Sequence, residues 1–439
     1  MPIDGSRSIL DRQSIRRVKT IMRRKTLTVL LLLLLTAVAT MAVLFRNSIN
    51  VHSQSIANSN LTHRGVTNDA PPTSYLYYIL KTPQGFMLAR AHKGSNNQPV
   101  GSLESLVLLG GGFGQVPSDS VVSMSLSPDG RYLAIDGTRA DSEQVWIYDT
   151  LHHTVKLQPA QAMGNFLHWL PGQNGHTFLY RPMFPLGPAP MDSTGWHPGL
   201  WLVDAATGAI HNLALPVPSA FLVDAAPSPD GTRIIYSTSA GLGEGSDVWL
   251  MHSDGSQNTH LFSVHDTVQS IVGLFAWSPD GTQVAYERLA DSEVPFLPAS
   301  LWVMNSQGQL QRQLAITDGG HGYAPLWSPD GSMIAYVART NFNDQQANFL
   351  AQSLQCAIGV VTVATDSSRL VATPQQTSKM LNIDPVWAAD SSSVTFMALN
   401  PINLDAGGTP RYWSATIGTF QAHSSLVPLT SALSHIAAA

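Results

Sequence analysis

The sequence predicts an all-β protein, a β-propeller of four-stranded blades. A short motif, Trp-Ser-Pro-Asp-Gly, stands at 277–281 and returns at 327–331. Degenerate copies lie at 126–130, 227–231 and 387–391. Recurrence at a period near 50 residues indicates a repeat fold. Four strand-length segments follow one another in the same order in each unit, and four strands per repeat are typical of a propeller blade.

Each element of the unit has its own signature. The motif separates a short apolar run from a second run, such as 283–286, that is rich in β-branched and aromatic residues. A third run contains a tryptophan, as in 301–304, and a more polar fourth run such as 309–316 follows. In the motif, Pro presets φ, Ser and Asp bond to nearby backbone groups, and Gly tolerates positive φ. The aspartates are therefore interpreted as turn residues.

The number of units follows from the strand runs. Second strands are predicted at 75–80, 131–136, 176–181, 232–237, 282–287, 332–337 and 392–397. Third strands are predicted at 86–91, 144–149, 199–204, 247–252, 300–305, 357–362 and 412–417. The unit that begins at Tyr75 lacks a first strand, and the apolar run 432–437 resembles the first strand at 221–226. We therefore expect seven blades, with the C-terminal run closing the ring and leaving no open sheet edge.

Tryptophan positions support this register. Nine of the ten tryptophans fall either just before the turn or in the third strand, where we expect them in the core between blades: Trp169, Trp277, Trp327, Trp387, Trp146, Trp201, Trp249, Trp302 and Trp413. Trp196 is the exception, because it lies in a long proline-rich segment.

The repeat resembles those of TolB-type propellers, whose units carry Trp-Ser-Pro-Asp-Gly-x-x-Ile-Ala-Tyr followed by a strand similar to Leu-Trp-Val-Met-Asn. Residues 277–305 match this pattern almost throughout, and the resemblance covers about residues 74–439. It implies the propeller fold, with six blades as the alternative because well-known members often have six. It implies little about function, since this fold supports many functions.

The N-terminal region predicts a membrane anchor. Residues 1–25 carry eight basic and two acidic side chains, a net charge of +6. The uncharged run 26–45 has 20 residues, enough for one transmembrane helix. The basic flank predicts a cytoplasmic N-terminus and an extracytoplasmic propeller at 74–439. The segment 46–73, rich in Asn, Ser and Thr, is predicted to be a flexible stalk.

A cleaved signal peptide is the alternative to an anchor, because Ala37-Val38-Ala39 resembles a cleavage site and the protein would then be secreted. The apolar run continues through Phe45, which favours the retained anchor.

Cys356 is the single cysteine, so no intramolecular disulfide is possible. Beyond residue 25, sixteen basic and 27 acidic residues give a net charge of −11, which argues against nucleic-acid binding.

Long and varied segments between second and third strands predict a binding surface, because binding residues concentrate on loops that a rigid scaffold holds. These segments are 181–199, 288–299, 339–355 and 399–411. They supply the candidate residues for binding a partner: Phe184, Trp196, His197, Arg288, Phe296, Arg339, Phe342 and Arg411. An aromatic such as Trp196 would anchor a protein or stack on a sugar.

The predicted function is that of a membrane-anchored extracytoplasmic scaffold that binds a protein, a peptide or a cell-envelope glycan, without a cofactor. The alternative is a metal-assisted lyase or hydrolase acting on a saccharide, because some propeller lyases similar in repeat pattern use channel histidines with a metal. Its candidate ligands are His168, His197, His265 and His321, although no metal-binding spacing is present. No Gly-x-Ser-x-Gly elbow is present to indicate a serine hydrolase. A structural spacer is the third hypothesis.

Overall fold

The computed structural model describes residues 75–438 except 94–98, 111–112, 116–118, 140–141, 158, 160–161, 173–174, 186–198, 218–219, 320–322, 379–380, 400–410, 418–425 and 430–436. Within the described residues, seven four-stranded sheets form a seven-bladed propeller. The predicted fold class and the seven blades are therefore confirmed, and the six-bladed alternative is not. In the described part of the chain, no helix has the length and apolarity to cross a membrane, and the predicted span 26–45 lies outside that part.

The strands of the first four blades are as follows. Blade 1 contains β1 (Tyr75–Thr82), β2 (Gly85–Lys93), β3 (Pro99–Leu108) and β28 (Ala437–Ala438). Blade 2 contains β4 (Ser120–Leu126), β5 (Tyr132–Arg139), β6 (Ser142–Asp149) and β7 (Thr154–Leu157). Blade 3 contains β8 (Ala162–Trp169), β9 (Thr177–Pro185), β10 (Leu200–Asp204) and β11 (Ile210–Leu213). Blade 4 contains β12 (Phe221–Pro227), β13 (Arg233–Ser239), β14 (Ser246–His252) and β15 (Thr259–Val264).

The remaining three blades have the same order. Blade 5 contains β16 (Ile271–Trp277), β17 (Gln283–Leu289), β18 (Ala299–Asn305) and β19 (Arg312–Thr317). Blade 6 contains β20 (Leu326–Trp327), β21 (Met333–Arg339), β22 (Cys356–Thr362) and β23 (Ser367–Ala372). Blade 7 contains β24 (Leu381–Trp387), β25 (Ser393–Leu399), β26 (Arg411–Thr416) and β27 (Leu426–Leu429). Two single-turn 3₁₀ helices, Gln346–Asn348 and Ala351–Ser353, lie between β21 and β22.

The C-terminal end closes the ring. Strand β28 pairs antiparallel with β1, with Ala438 opposite Leu76 and Ala437 opposite Tyr77. The prediction that the C-terminus completes the first blade is confirmed. The strand itself lies at 437–438 rather than over 432–437, most of which falls outside the described residues. Pairing with β28 covers the inner edge of β1, which would otherwise be open to another strand.

The Ser-Pro-Asp-Gly turns have the predicted chemistry. In blade 5 the Ser278 hydroxyl donates to Asp280 at 2.6 Å and accepts the Gln283 N–H at 2.9 Å. Asp280 also accepts the Thr282 N–H at 3.1 Å, and Gly281 has φ +69°. Blades 4 and 6 repeat the Ser–Asp bond. These aspartates accept hydrogen bonds from their own turns, as expected of residues that shape the backbone.

The tryptophans at the ends of the first strands tie neighbouring blades together. The Trp277 indole donates to the Ala226 carbonyl of blade 4 at 3.2 Å, and Trp327 donates to Ala276 of blade 5 at 2.9 Å. Trp169 and Trp387 make the same bond to the preceding blade. Each acceptor carbonyl belongs to the residue just before the one that, in the preceding blade, is equivalent to the tryptophan. The inter-blade location predicted for these tryptophans is confirmed.

The two faces of the propeller differ in their connections. Adjacent strands are antiparallel, so the first-to-second and third-to-fourth turns lie together on what we name the turn face. The second-to-third segments and the links between blades lie on the opposite face, the loop face. On the loop face, segments 240–245, 265–270, 290–298 and 340–355 are described in full. They belong to blades 4, 5 and 6, where the candidate surface is found.

Candidate binding surface

The structure describes some of the predicted binding residues more fully than others. Trp196 and His197 lie outside the described residues. Phe184 lies near the end of β9, and Arg411 is the first residue of β26. The structure describes these two residues only at the level of the backbone. Their role in binding stays a prediction.

Arg339 is buried and binds parts of its own chain. Its side chain is 0 % exposed and lies 3.6 Å from the equally buried Asp318 carboxylate, Nη1 to Oδ1. The same guanidinium donates from Nη1 to the Phe296 carbonyl at 3.2 Å and from Nε to Asn341 Oδ1 at 2.8 Å. The expectation that Arg339 reaches a partner does not fit this burial. Its side chain instead joins the loop of blade 5 to the loop of blade 6.

Phe296 is also internal. It is 6 % exposed and belongs to an apolar cluster with Val337, Ala347 and Leu354 of blade 6. The Phe296 N–H donates to the Asn348 carbonyl at 3.1 Å. Phe296 therefore fixes segment 290–298 on segment 340–355 and is not presented to a partner. The sequence did not reveal this because the contact joins residues of different blades.

Arg288 has intramolecular partners too. Its guanidinium carbon lies 3.9 Å from the centre of the Trp302 ring, a cation–π contact. Its Nη2 donates to Gln311 Oε1 at 2.9 Å. The charge is thus held against its own blade, and the predicted role of Arg288 in binding a partner is untested.

Phe342 is exposed, as the sequence predicts, and it is joined by two further apolar residues of the same segment. Phe342 is 44 % exposed, Phe349 59 % and Leu350 37 %. In the neighbouring link between blades 4 and 5, Val268 is 67 % exposed. All four lie in segments of the loop face, and a face that carries several exposed large apolar side chains is a candidate interaction site.

The backbone of segment 340–355 is held by polar side chains. Asn341 accepts the Gln355 N–H at 3.1 Å and donates to the Ser353 carbonyl at 2.9 Å. Asp344 accepts the Gln346 N–H at 3.0 Å, a bond from side chain to backbone two residues along the chain. The segment thus has a defined shape between its ends, and Phe342, Phe349 and Leu350 project from it.

Asp291 joins three segments of the loop face. Its carboxylate accepts the N–H groups of Gly243 and Gly245 at 2.8 and 3.1 Å and the Ser270 hydroxyl at 3.2 Å. Its own N–H donates to the Val268 carbonyl at 2.8 Å. One carboxylate therefore connects segment 290–298 with the loop of blade 4 and the link between blades 4 and 5.

Gln269 strengthens the same junction. Its amide donates to the Pro298 carbonyl at 2.8 Å and accepts the Ser300 hydroxyl at 2.6 Å. Asp291, Gln269 and Arg339 together connect all four segments. We call the combined surface of residues 240–245, 265–270, 290–298 and 340–355 the ledge.

A buried acid lies beneath the ledge. Glu287 of β17 is 1 % exposed, and its Oε2 has no hydrogen-bond partner among the described residues. Burial, with a smaller contribution from the neighbouring Asp318 carboxylate, raises the pKa of Glu287 to about 8. Glu287 is therefore mostly protonated at neutral pH. The Asp318 carboxylate has the Arg339 guanidinium as its counter-ion.

The candidate metal-binding histidines are spread over several elements. His168 lies in β8, where burial lowers its pKa against the opposing effect of Asp224. His265 is exposed after β15, with Nδ1 2.6 Å from the Glu244 carbonyl. His197 and His321 lie outside the described residues. Among the described residues, no three His, Cys, Asp or Glu side chains are arranged to hold a metal ion.

Sequence reasoning missed Asp291 and Gln269, and it did not single out Phe349 and Leu350. The available signal was Asn-Phe-Leu within a segment of Asn, Asp and Gln, which places apolar side chains among residues that bond to backbone. The roles of Asp291 and Gln269 have no local signal because their partners come from a neighbouring blade.

Comparison with known proteins shows similarity of fold. No family model matches the chain, and no curated protein matches it in sequence. An oligogalacturonate lyase from Vibrio parahaemolyticus superposes with a TM-score of 0.52 at 13% identity, over 79% of this chain and 87% of the lyase. A prolyl endopeptidase also gives 0.52 at 13% identity, over 92% of this chain but 55% of the peptidase. TolB from Acinetobacter baumannii gives 0.41 at 13% identity, over 68% and 63%.

Proposed function

We propose that this chain is a membrane-anchored, extracytoplasmic propeller that binds a protein or peptide through the ledge without catalysing a reaction. The observation that supports the proposal is the display of Phe342, Phe349, Leu350 and Val268 on a backbone held by polar contacts between blades. A surface already fixed in shape loses little conformational entropy on binding. Large apolar anchors on such a surface supply most of the binding energy.

The membrane anchor and the outward orientation rest on the charge and length of residues 1–45 and belong to the proposal. A glycan partner would depend on Trp196, which lies outside the described residues. The exposed aromatics of the ledge are phenylalanines, which have no hydrogen-bonding group for a sugar. The ledge therefore favours a protein or peptide.

The metal-assisted lyase or hydrolase stays a prediction of the sequence, tested by the metal content of the purified chain with and without His265→Ala.

Crosslinking in intact cells tests the proposal. The full-length chain is crosslinked and purified, and its partners are identified by mass spectrometry. We expect one abundant extracytoplasmic partner. The double variant Phe349→Ala with Leu350→Ala is expected to reduce its recovery by about tenfold or more, which corresponds to a loss of roughly 1.4 kcal/mol.

Leu310→Ala is the matched control, because Leu310 is 77 % exposed and lies in the third-to-fourth turn of blade 5, on the turn face. All three side chains are exposed, so thermal unfolding should be nearly unchanged in each variant. Equal recovery from the double variant and the wild type, or an equal loss in Leu310→Ala, would contradict the ledge as the binding surface.

A further inference from the structure

The charges of the ledge have one sign. Its four segments contain no lysine and no arginine. Four carboxylates are exposed on it: Glu244, Asp266, Glu293 and Asp344. The one basic side chain of the four segments is His265, which lies 3.6 Å from the Asp247 carboxylate, Nε2 to Oδ1. The exposed surface of the ledge is therefore acidic.

Nearby arginines do not neutralise this charge. The Arg339 guanidinium is buried beneath the ledge beside Asp318, and that of Arg288 is held over the Trp302 ring.

Two of the exposed acids of the ledge lie close in sequence to its exposed apolar side chains. Asp266 lies two residues before Val268, and Asp344 lies two residues after Phe342. Glu293 lies two residues from Asp291, the side chain that fixes the junction. A partner that covers Val268 or Phe342 therefore places its own side chains close to the neighbouring carboxylate of Asp266 or Asp344. Within a screening length of about 8 Å at physiological salt, a like charge is repelled and an opposite charge attracted.

We propose that the ledge accepts a cationic peptide segment in which lysines or arginines alternate with aliphatic or aromatic residues. The apolar side chains of that segment contact Phe342, Phe349, Leu350 and Val268, and its basic groups pair with the four exposed carboxylates. This inference rests on the proposed function, because it names the chemistry of the partner that the ledge binds. Electrostatic attraction would raise the association rate, and apolar contact would set the dissociation rate.

Three labelled peptides of twelve residues test the inference against the full-length chain in nanodiscs of zwitterionic lipid, with empty nanodiscs as background. The first alternates lysine with leucine, the second glutamate with leucine, and the third lysine with serine. Fluorescence polarisation should show that the lysine–leucine peptide binds about tenfold or more tightly than either other peptide, with an affinity that falls as salt rises.

The double charge reversal Glu244→Lys with Glu293→Lys should weaken binding of the lysine–leucine peptide by about tenfold or more. The control is the single charge reversal Asp254→Lys in a third-to-fourth turn on the turn face, which should leave binding nearly unchanged. Equal binding of the first two peptides, binding of none, or equal effects of the ledge and control reversals would overturn the inference. If a cellular partner is still lost on Phe349→Ala with Leu350→Ala, the proposed function stands and only the cationic chemistry fails.

Discussion

At the scale of single residues, burial decides which polar side chains are available to a partner. Arg339 and Phe296 lie in segments whose composition predicts exposed loops, yet both are internal because the loops of blades 5 and 6 pack on each other. Breaking a buried ion pair by removing one partner leaves an uncompensated charge, at a cost of about 3–5 kcal/mol. Arg339 is thus essential to the shape of the ledge through Asp318.

The raised pKa of Glu287 predicts a pH-dependent stability. The folded protein retains this proton at pH values at which the unfolded chain has lost it, so the free energy of unfolding falls as pH rises from 4.5 to about 8. Glu287→Gln carries no charge at any pH, and we expect it to unfold a few degrees above wild type at pH 8.5 and close to wild type at pH 5. Thermal melts of both proteins across this range measure the difference. The same pH dependence in both proteins would show that folding does not raise the pKa of Glu287.

Two turn glycines have nearly equal φ angles but different surroundings. Their alanine variants therefore distinguish the cost of backbone strain from the cost of steric crowding. Gly231 has φ +68° and Gly281 φ +69°, so Gly→Ala has a similar conformational cost of about 1–2 kcal/mol at each. A Cβ at Gly231 would collide with the Pro171 carbonyl of the preceding blade, whereas at Gly281 its nearest neighbour is 3.7 Å away. Gly231→Ala should therefore destabilise clearly more than Gly281→Ala in urea unfolding. Equal losses would mean that the two blades do not approach so closely at Pro171.

At the scale of elements, most of the fold is visible in the sequence because its signals are local. The second strand predicted at 282–287 is found at Gln283–Leu289, and the motif turn before it has the predicted hydrogen bonds. The long segments that form the ledge were visible in the sequence, and Phe342 is exposed there, while its role in binding stays a prediction. Asp291 and Gln269 could not be predicted, because they act through contacts with distant parts of the chain that no spacing reveals.

Tryptophans form hydrogen bonds between the first strands of neighbouring blades. Removing a buried bond of this kind should destabilise the protein more than removing an exposed one. The Trp277 bond to Ala226 is buried, so Trp277→Phe removes a buried hydrogen bond at a net cost of about 0.5–1.5 kcal/mol. The Trp387 bond to Leu326 is exposed, and water can replace the indole there. Trp387→Phe should therefore cost distinctly less in denaturant unfolding. A larger loss for Trp387→Phe would contradict the assignment of these bonds as inter-blade ties of different burial.

At the scale of the whole molecule, the ring is closed at blade 1, and the loops of blades 4 to 6 are joined to one another. Strand β28 completes blade 1, which ties the two ends of the propeller chain together. On the loop face, blades 4 to 6 share side-chain contacts that convert separate loops into one surface. Structural similarity to a lyase and a peptidase is similarity of fold, and this fold supports many functions.

Site-specific photo-crosslinking in living cells tests the ledge most directly. A photoreactive phenylalanine analogue is placed singly at Phe349 and Val268 on the ledge and at Leu310 and Leu151 on the turn face, all exposed positions. If the ledge is the binding surface, the two ledge positions form an adduct with one common protein and the two turn-face positions do not. An adduct that forms equally from both faces, or from the turn face alone, would contradict it.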